Sequence, residues 1–169
     1  MTHKEHQREA PGQVGCAIIT ISDTRDEQSD KSGQLIKALL TENGHKIVRY
    51  TIVKDSPLQI KGELAMLTQS STCQAVILNG GTGIAPRDTT YDALNKLLEK
   101  RLDGFGEIFR YLSYQEIGSS AVMSRATAGT YKGRIVISIP GSPDAVKLAM
   151  EKLILPELGH MVGQISRRP

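Results

Sequence analysis

Tryptophan is absent from this 169-residue chain, phenylalanine occurs twice and tyrosine five times. So few rings leave little of the stacking platform that single-strand nucleic-acid binders use. Only two cysteines occur, Cys16 and Cys73, in or beside apolar, strand-like stretches. Neither sits in a C-x-x-C pair or near a histidine, so both read as small buried hydrophobes rather than zinc or redox ligands. No apolar run approaches the ~18 residues that span a membrane, and the N-terminus lacks the hydrophobic segment of a secretory leader. The expectation is a cytoplasmic protein without membrane contact. An excess of one charge is missing too. The 21 basic and 18 acidic residues are mixed along the chain and leave a net charge of +3. That balance argues against a nucleic-acid surface and remains compatible with a small anionic ligand. No Walker lysine, no G-x-G-x-x-G after the first strand and no Ser-His-Asp set is evident, which disfavours hydrolysis through a covalent intermediate.

The chain has room for one compact domain, and at this length neither disulfides nor a structural metal is needed. Residues 1–12 read as a polar tail carrying His3 and His6, and residues 13–169 as the domain. Cys16-Ala17-Ile18-Ile19-Thr20-Ile21 has the β-branched, continuously apolar character of a parallel strand buried on both faces. A helix follows on Leu35, Ile36, Leu39 and Leu40, closed by Asn43-Gly44. The unit repeats with a strand over residues 46–53, Ser56-Pro57 as cap and first helical residue, and a helix over 58–67. A third strand over residues 75–78 runs into Asn79-Gly80-Gly81-Thr82-Gly83, and Thr89 or Thr90 caps the next helix. Residues 124–131 and 134–139 flank Lys132-Gly133 as a hairpin, and a last helix over 144–154 is interrupted by Pro156. Alternating strands and helices predict a three-layer α/β/α sandwich with a mostly parallel sheet and a possible antiparallel edge.

Ligands of such sheets bind beyond the carboxyl ends of the strands. Three glycines in four positions, Gly80, Gly81 and Gly83, suit a turn with positive φ that aims amides at a phosphate. Asp88 closes this loop and Asp55 follows the second strand, so two carboxylates can project into one crevice as Mg²⁺ ligands. Taken singly, Asp88 reads equally as a helix cap and Asp55 as a turn residue. Arg25, Arg87, Arg110 and Arg125 can clamp phosphates, although Glu107 and Arg110 also suit a helical ion pair. Phe105, Phe109, Tyr111 and Tyr114 crowd one segment, as core or as a subunit contact.

Ser22-Asp23-Thr24-Arg25, Gly80-Gly81-Thr82-Gly83 with Arg87-Asp88-Thr89-Thr90, residues 104–110, Ser124-Arg125-Ala126 and Pro140-Gly141-Ser142-Pro143 together resemble the molybdopterin-binding MoaB/MogA family. The resemblance runs from Val14 to near the end of the chain. It implies a trimer or a dimer of trimers that takes molybdopterin and Mg·ATP as substrates and works with other proteins of the cofactor pathway. Active members transfer AMP to the molybdopterin phosphate, giving adenylyl-molybdopterin and pyrophosphate. By position, Asp55 and Asp88 match the family's essential carboxylates and Mg²⁺ site. Ser22, Asp23, Gly80, Gly81, Thr82, Gly83 and Arg87 match its nucleotide and phosphate site. Ser124, Arg125, Pro140, Gly141, Ser142 and Pro143 match its pterin site. Two alternatives stand beside this: a non-catalytic molybdopterin-binding or delivery protein, and a nucleotide pyrophosphatase.

Overall fold

The structure is a computed structural model that describes residues 10–167. The segment carrying His3 and His6 lies outside the described residues, while Ala10 and Pro11 rest against Gly159 and Gly163 of the last helix. Six strands form one sheet in the order β2-β1-β3-β6-β5-β4. They are β1 (Gly15–Ile21), β2 (Lys46–Val53), β3 (Ala75–Asn79), β4 (Lys100–Arg101), β5 (Thr127–Tyr131) and β6 (Arg134–Ile139). β2, β1, β3 and β6 run parallel, whereas β5 is antiparallel to both β6 and β4. The hairpin between β5 and β6 turns at Lys132 (φ 44°) and Gly133 (φ 74°), consecutive left-handed residues that match the twist of the strands they join.

The helices are α1 (Lys31–Glu42), α2 (Pro57–Gln69), α3 (Thr90–Leu97), α4 (Asp103–Ile117), α5 (Pro143–Ala149) and α6 (Leu155–Ser166). Alternation along the strands assigns them to two faces. Ile18, Ile77 and Ile137 pack with Ile36 and Leu40 of α1, Phe109 of α4, Val146 of α5 and Leu158 of α6. Their neighbours Ile19, Leu78 and Val136 pack with Ile60 and Leu64 of α2 and Leu94 of α3. Cys16 and Cys73 are buried in these layers, and burial pushes the Cys16 thiol up to about 12. The aromatic segment divides: Phe105 and Phe109 enter the core, and Tyr111 and Tyr114 face outward.

Three expectations of local structure are corrected. Pro156 does not interrupt the last helix. The turn Met150–Ile154 is π-helical, and this widening lets the chain carry a ring without an N–H, so α5 runs on into α6. Ser56 precedes Pro57 without a side-chain cap bond, and Glu107 and Arg110 do not reach ion-pair distance.

After β1 the chain crosses through α1 to β2 on one side, and after β2 it crosses through α2 to β3 on the other. The strand order therefore reverses between β1 and β3. At such a point the following loops diverge and leave a crevice at the carboxyl edge.

Candidate functional site

The crevice is built from the loops after β1, β2 and β3. A cavity of about 180 Å³ is lined by Ser22 and Asp23 from the first, Asp55 from the second, and Gly81, Arg87 and Asp88 from the third. Residues distant in sequence thus meet at one place, and both expected carboxylates face it. No group of three or more histidine, cysteine, aspartate or glutamate side chains suited to a metal occurs among the described residues.

The two carboxylates are held very differently. Asp55 Oδ1 accepts the Thr89 hydroxyl at 2.7 Å and the Thr90 hydroxyl at 3.0 Å, and the Thr89 amide lies 3.1 and 3.2 Å from its two oxygens. Asp55 therefore caps α3 from another loop, satisfying a donor that the helix start leaves open and placing negative charge at its positive end. Thr89 cannot cap the helix itself, because its hydroxyl is turned to Asp55. Asp88 lies over Gly83, where a methyl group would meet its carboxylate. That carboxylate has no hydrogen-bonding or ionic partner among the described residues, so it is free to take a ligand.

The glycine loop differs in one respect from expectation. Gly80 and Gly81 have φ of 100° and 67°, but Gly83 is not left-handed, and its lack of a side chain serves the close approach of Asp88. The Gly80 amide donates to the Ile139 carbonyl at 3.0 Å. The amides of Gly81, Thr82 and Gly83 have no acceptor among the described residues. Of these, Gly81 lines the small cavity and Gly83 the larger one beside it, so the loop offers unpaired donors to both.

Arg125 holds this loop in place. Its guanidinium donates to the Thr82 carbonyl at 2.8 Å and the Gly83 carbonyl at 2.6 Å, pairs with Asp92, and stacks 4.3 Å above the Tyr91 ring. Arg25 is likewise engaged, with the Gly141 carbonyl at 3.3 Å and Asp30 at 3.7 Å. Ser22 Oγ accepts the Thr24 and Arg25 amides at 3.2 and 3.0 Å and so shapes its own loop. Gly141 packs on Gly80 and accepts the Ser32 hydroxyl at 2.7 Å, and the Ser142 hydroxyl caps α5. Pro140, Gly141, Ser142, Pro143 and Ser124 line neither the small cavity nor the larger one beside it.

That larger cavity, about 660 Å³, lies between α2 and α3 and adjoins the first at Asp88. Pro57, Ile84, Pro86 and Leu97 give it apolar walls, Lys61, Lys96 and Arg125 bring positive charge, and Asp88 and Asp92 bring negative charge. Lys61 and Lys96 carried no signal in the sequence, since each is an ordinary polar position on a helix. Only the packing of α2 beside α3 brings them together.

A parallel α/β sheet whose strand order reverses over a crevice at its carboxyl edge defines the doubly wound class of ligand-binding domain. Residues 17–160 match a family described as "Probable molybdopterin binding domain". The chain is 52% identical to molybdenum cofactor biosynthesis protein B of Halalkalibacterium halodurans over 168 residues, 99% of each chain. A crystal structure of a molybdenum cofactor biosynthesis protein B superposes with a TM-score of 0.90 at 52% identity, covering 94% of this chain and 99% of that one. The tungsten cofactor synthesizing protein MoaB of Pyrococcus furiosus gives 0.84 at 37% identity, covering 94% and 100%. The chain belongs to the MoaB/MogA family of molybdenum cofactor biosynthesis proteins and carries their molybdopterin-binding domain.

Proposed function

We propose that this protein binds molybdopterin and transfers AMP to it from Mg·ATP. An oxygen of the pterin phosphate attacks the α-phosphorus of ATP, the bond to the β-phosphate oxygen breaks, and pyrophosphate leaves. Both reactants are anions, so the task of the protein is to neutralise and align them. The observation that carries this reading is the free Asp88 carboxylate on one small cavity with Gly81, whose amide has no acceptor among the described residues, and Arg87.

The donor set suits Mg²⁺, which takes one or two carboxylates, several waters and substrate phosphates. Asp88 would be its direct ligand, with Asp23 and Asp55 on the same small cavity. When bound, the ion neutralises phosphate charge. Asp55 instead fixes the start of α3, and through it the position of Asp88. Arg87 has no partner among the described residues and lines the same cavity, so its guanidinium is available to a phosphate. Ser22 shapes the loop after β1, and Arg125 holds the glycine loop; Ser124 and the Pro140 loop flank the region. The outward-facing side chains Ile108, Tyr111, Tyr114, Ile117 and Val122 supply an apolar surface for assembly into trimers or hexamers.

A binding or delivery role without catalysis is the second reading, favoured by the engagement of Asp55 with Thr89 and Thr90, which leaves one open carboxylate of the pair. Incubation of the purified protein with molybdopterin, ATP and Mg²⁺ separates the two. Adenylyl-molybdopterin and pyrophosphate are expected in equal amounts. Bound molybdopterin with neither product would establish the second reading, and pyrophosphate formed without pterin would point to a pyrophosphatase. No helix among the described residues is long and apolar enough to cross a membrane.

A further inference from the structure

The arginines that sequence spacing offers as phosphate clamps are in part engaged by the protein itself. Arg125 is committed to two loop carbonyls and Asp92, and Arg25 to Gly141 and Asp30. A ligand in the cavity between α2 and α3 therefore meets two other cations. Lys61 comes from the α2 wall and Lys96 from the last turn of α3, and neither has an acidic partner among the described residues. Asp92, the nearest counter-charge on α3, already pairs with Arg125 at 3.1 Å.

From this arrangement we infer that Lys61 and Lys96 form an anion clamp for a planar heterocycle bearing phosphate, whose ring lies on the apolar wall of Pro57, Ile84 and Leu97. The inference rests on the functional reading above and adds the residues that select for charge in the larger cavity. Two features of the cavity argue for this class of ligand. Its volume of about 660 Å³ suits a nucleotide or a pterin. Its walls combine apolar area for a ring with two ammonium groups, which bind phosphate as compact point charges. A neutral apolar ligand would make no use of the two ammonium groups, which reach solvent at the mouth of a cavity that Asp88 and Asp92 also line. A free inorganic anion would leave the apolar wall uncovered.

The nucleotide and the pterin share this chemistry, and separate titrations tell them apart. The double variant Lys61→Met, Lys96→Met keeps much of the apolar stems and removes the charges. Mg·ATP and molybdopterin are each titrated against wild type and variant at several salt concentrations, with unfolding midpoints confirming that both are folded. The expected result is a loss of about tenfold or more in affinity for one of the two, with a shallower salt dependence. The ligand that loses affinity is the occupant. Unchanged affinity and salt dependence for both would overturn the clamp while leaving the functional reading intact. Failure of wild type to bind either ligand would overturn both.

Discussion

The two sides of the crevice treat their polar groups in opposite ways. On the side of β1 and β6, Arg25, Asp30, Ser32 and Gly141 bond to one another, and Tyr50 donates to the buried Asp30 at 2.7 Å. On the side of β3, α2 and α3, Asp88, Arg87, Lys61, Lys96 and three loop amides have no internal partner among the described residues. The first side is fully engaged, whereas the second keeps open groups beside engaged ones such as Arg125 and Thr89. An engaged buried polar group stabilises the fold, whereas an open one at the surface does little for stability and can serve a ligand.

Substitutions on the two sides should therefore separate activity from stability. The largest effect is expected at Asp88: Asp88→Asn should lower AMP transfer on the order of a thousandfold, read from initial rates, with an unchanged unfolding midpoint. A variant as active as wild type would remove Asp88 from the chemistry. On the engaged side, Asp30→Ala leaves the Tyr50 hydroxyl and the Gly33 amide at the start of α1 without their acceptor. It should cost about 3 kcal/mol in denaturant unfolding. Arg125→Ala removes an engaged group from the otherwise open side, since it releases the glycine loop from its brace. About 1.5 kcal/mol of stability should be lost, and hydrogen exchange should quicken over residues 80–90.

The smallest effect lies far from the crevice. His45 Nδ1 accepts the Val14 amide at 3.1 Å, and burial holds its imidazole below the usual range. The folded state thus favours the neutral ring, so this contribution is present above the ordinary imidazole value of 6.5 and is lost as pH falls through that region. Unfolding midpoints should drop between about pH 7.5 and about pH 5.5, and less so for His45→Gln. Equal pH dependence in the two proteins would remove His45 as the cause.

The sequence carried the periodic parts of this architecture best. Lys46–Val53 and Arg134–Ile139 were legible because the first is bounded by Gly44 and Ser56-Pro57 and the second by Lys132-Gly133 and Pro140. The uninterrupted passage past Pro156 was not, because a single widened turn leaves no composition signature. The meeting of Asp55 with Asp88 was legible because both lie on loops at the carboxyl ends of parallel strands. Their unequal bonding depends on the rotation of Thr89 and Thr90, which spacing does not encode. Arg125 resembled a ligand residue for the same reason: the sequence supplies the guanidinium and not what it faces.

The division between an engaged and an open carboxylate is tested most directly by equilibrium unfolding of Asp55→Ala and Asp88→Ala under one set of conditions. Asp55→Ala should lose about 2 kcal/mol, since it strips the acceptor from two hydroxyls and a helix amide, whereas Asp88→Ala should stay within about 0.5 kcal/mol of wild type. Equal losses, or a larger loss at Asp88, would contradict the account.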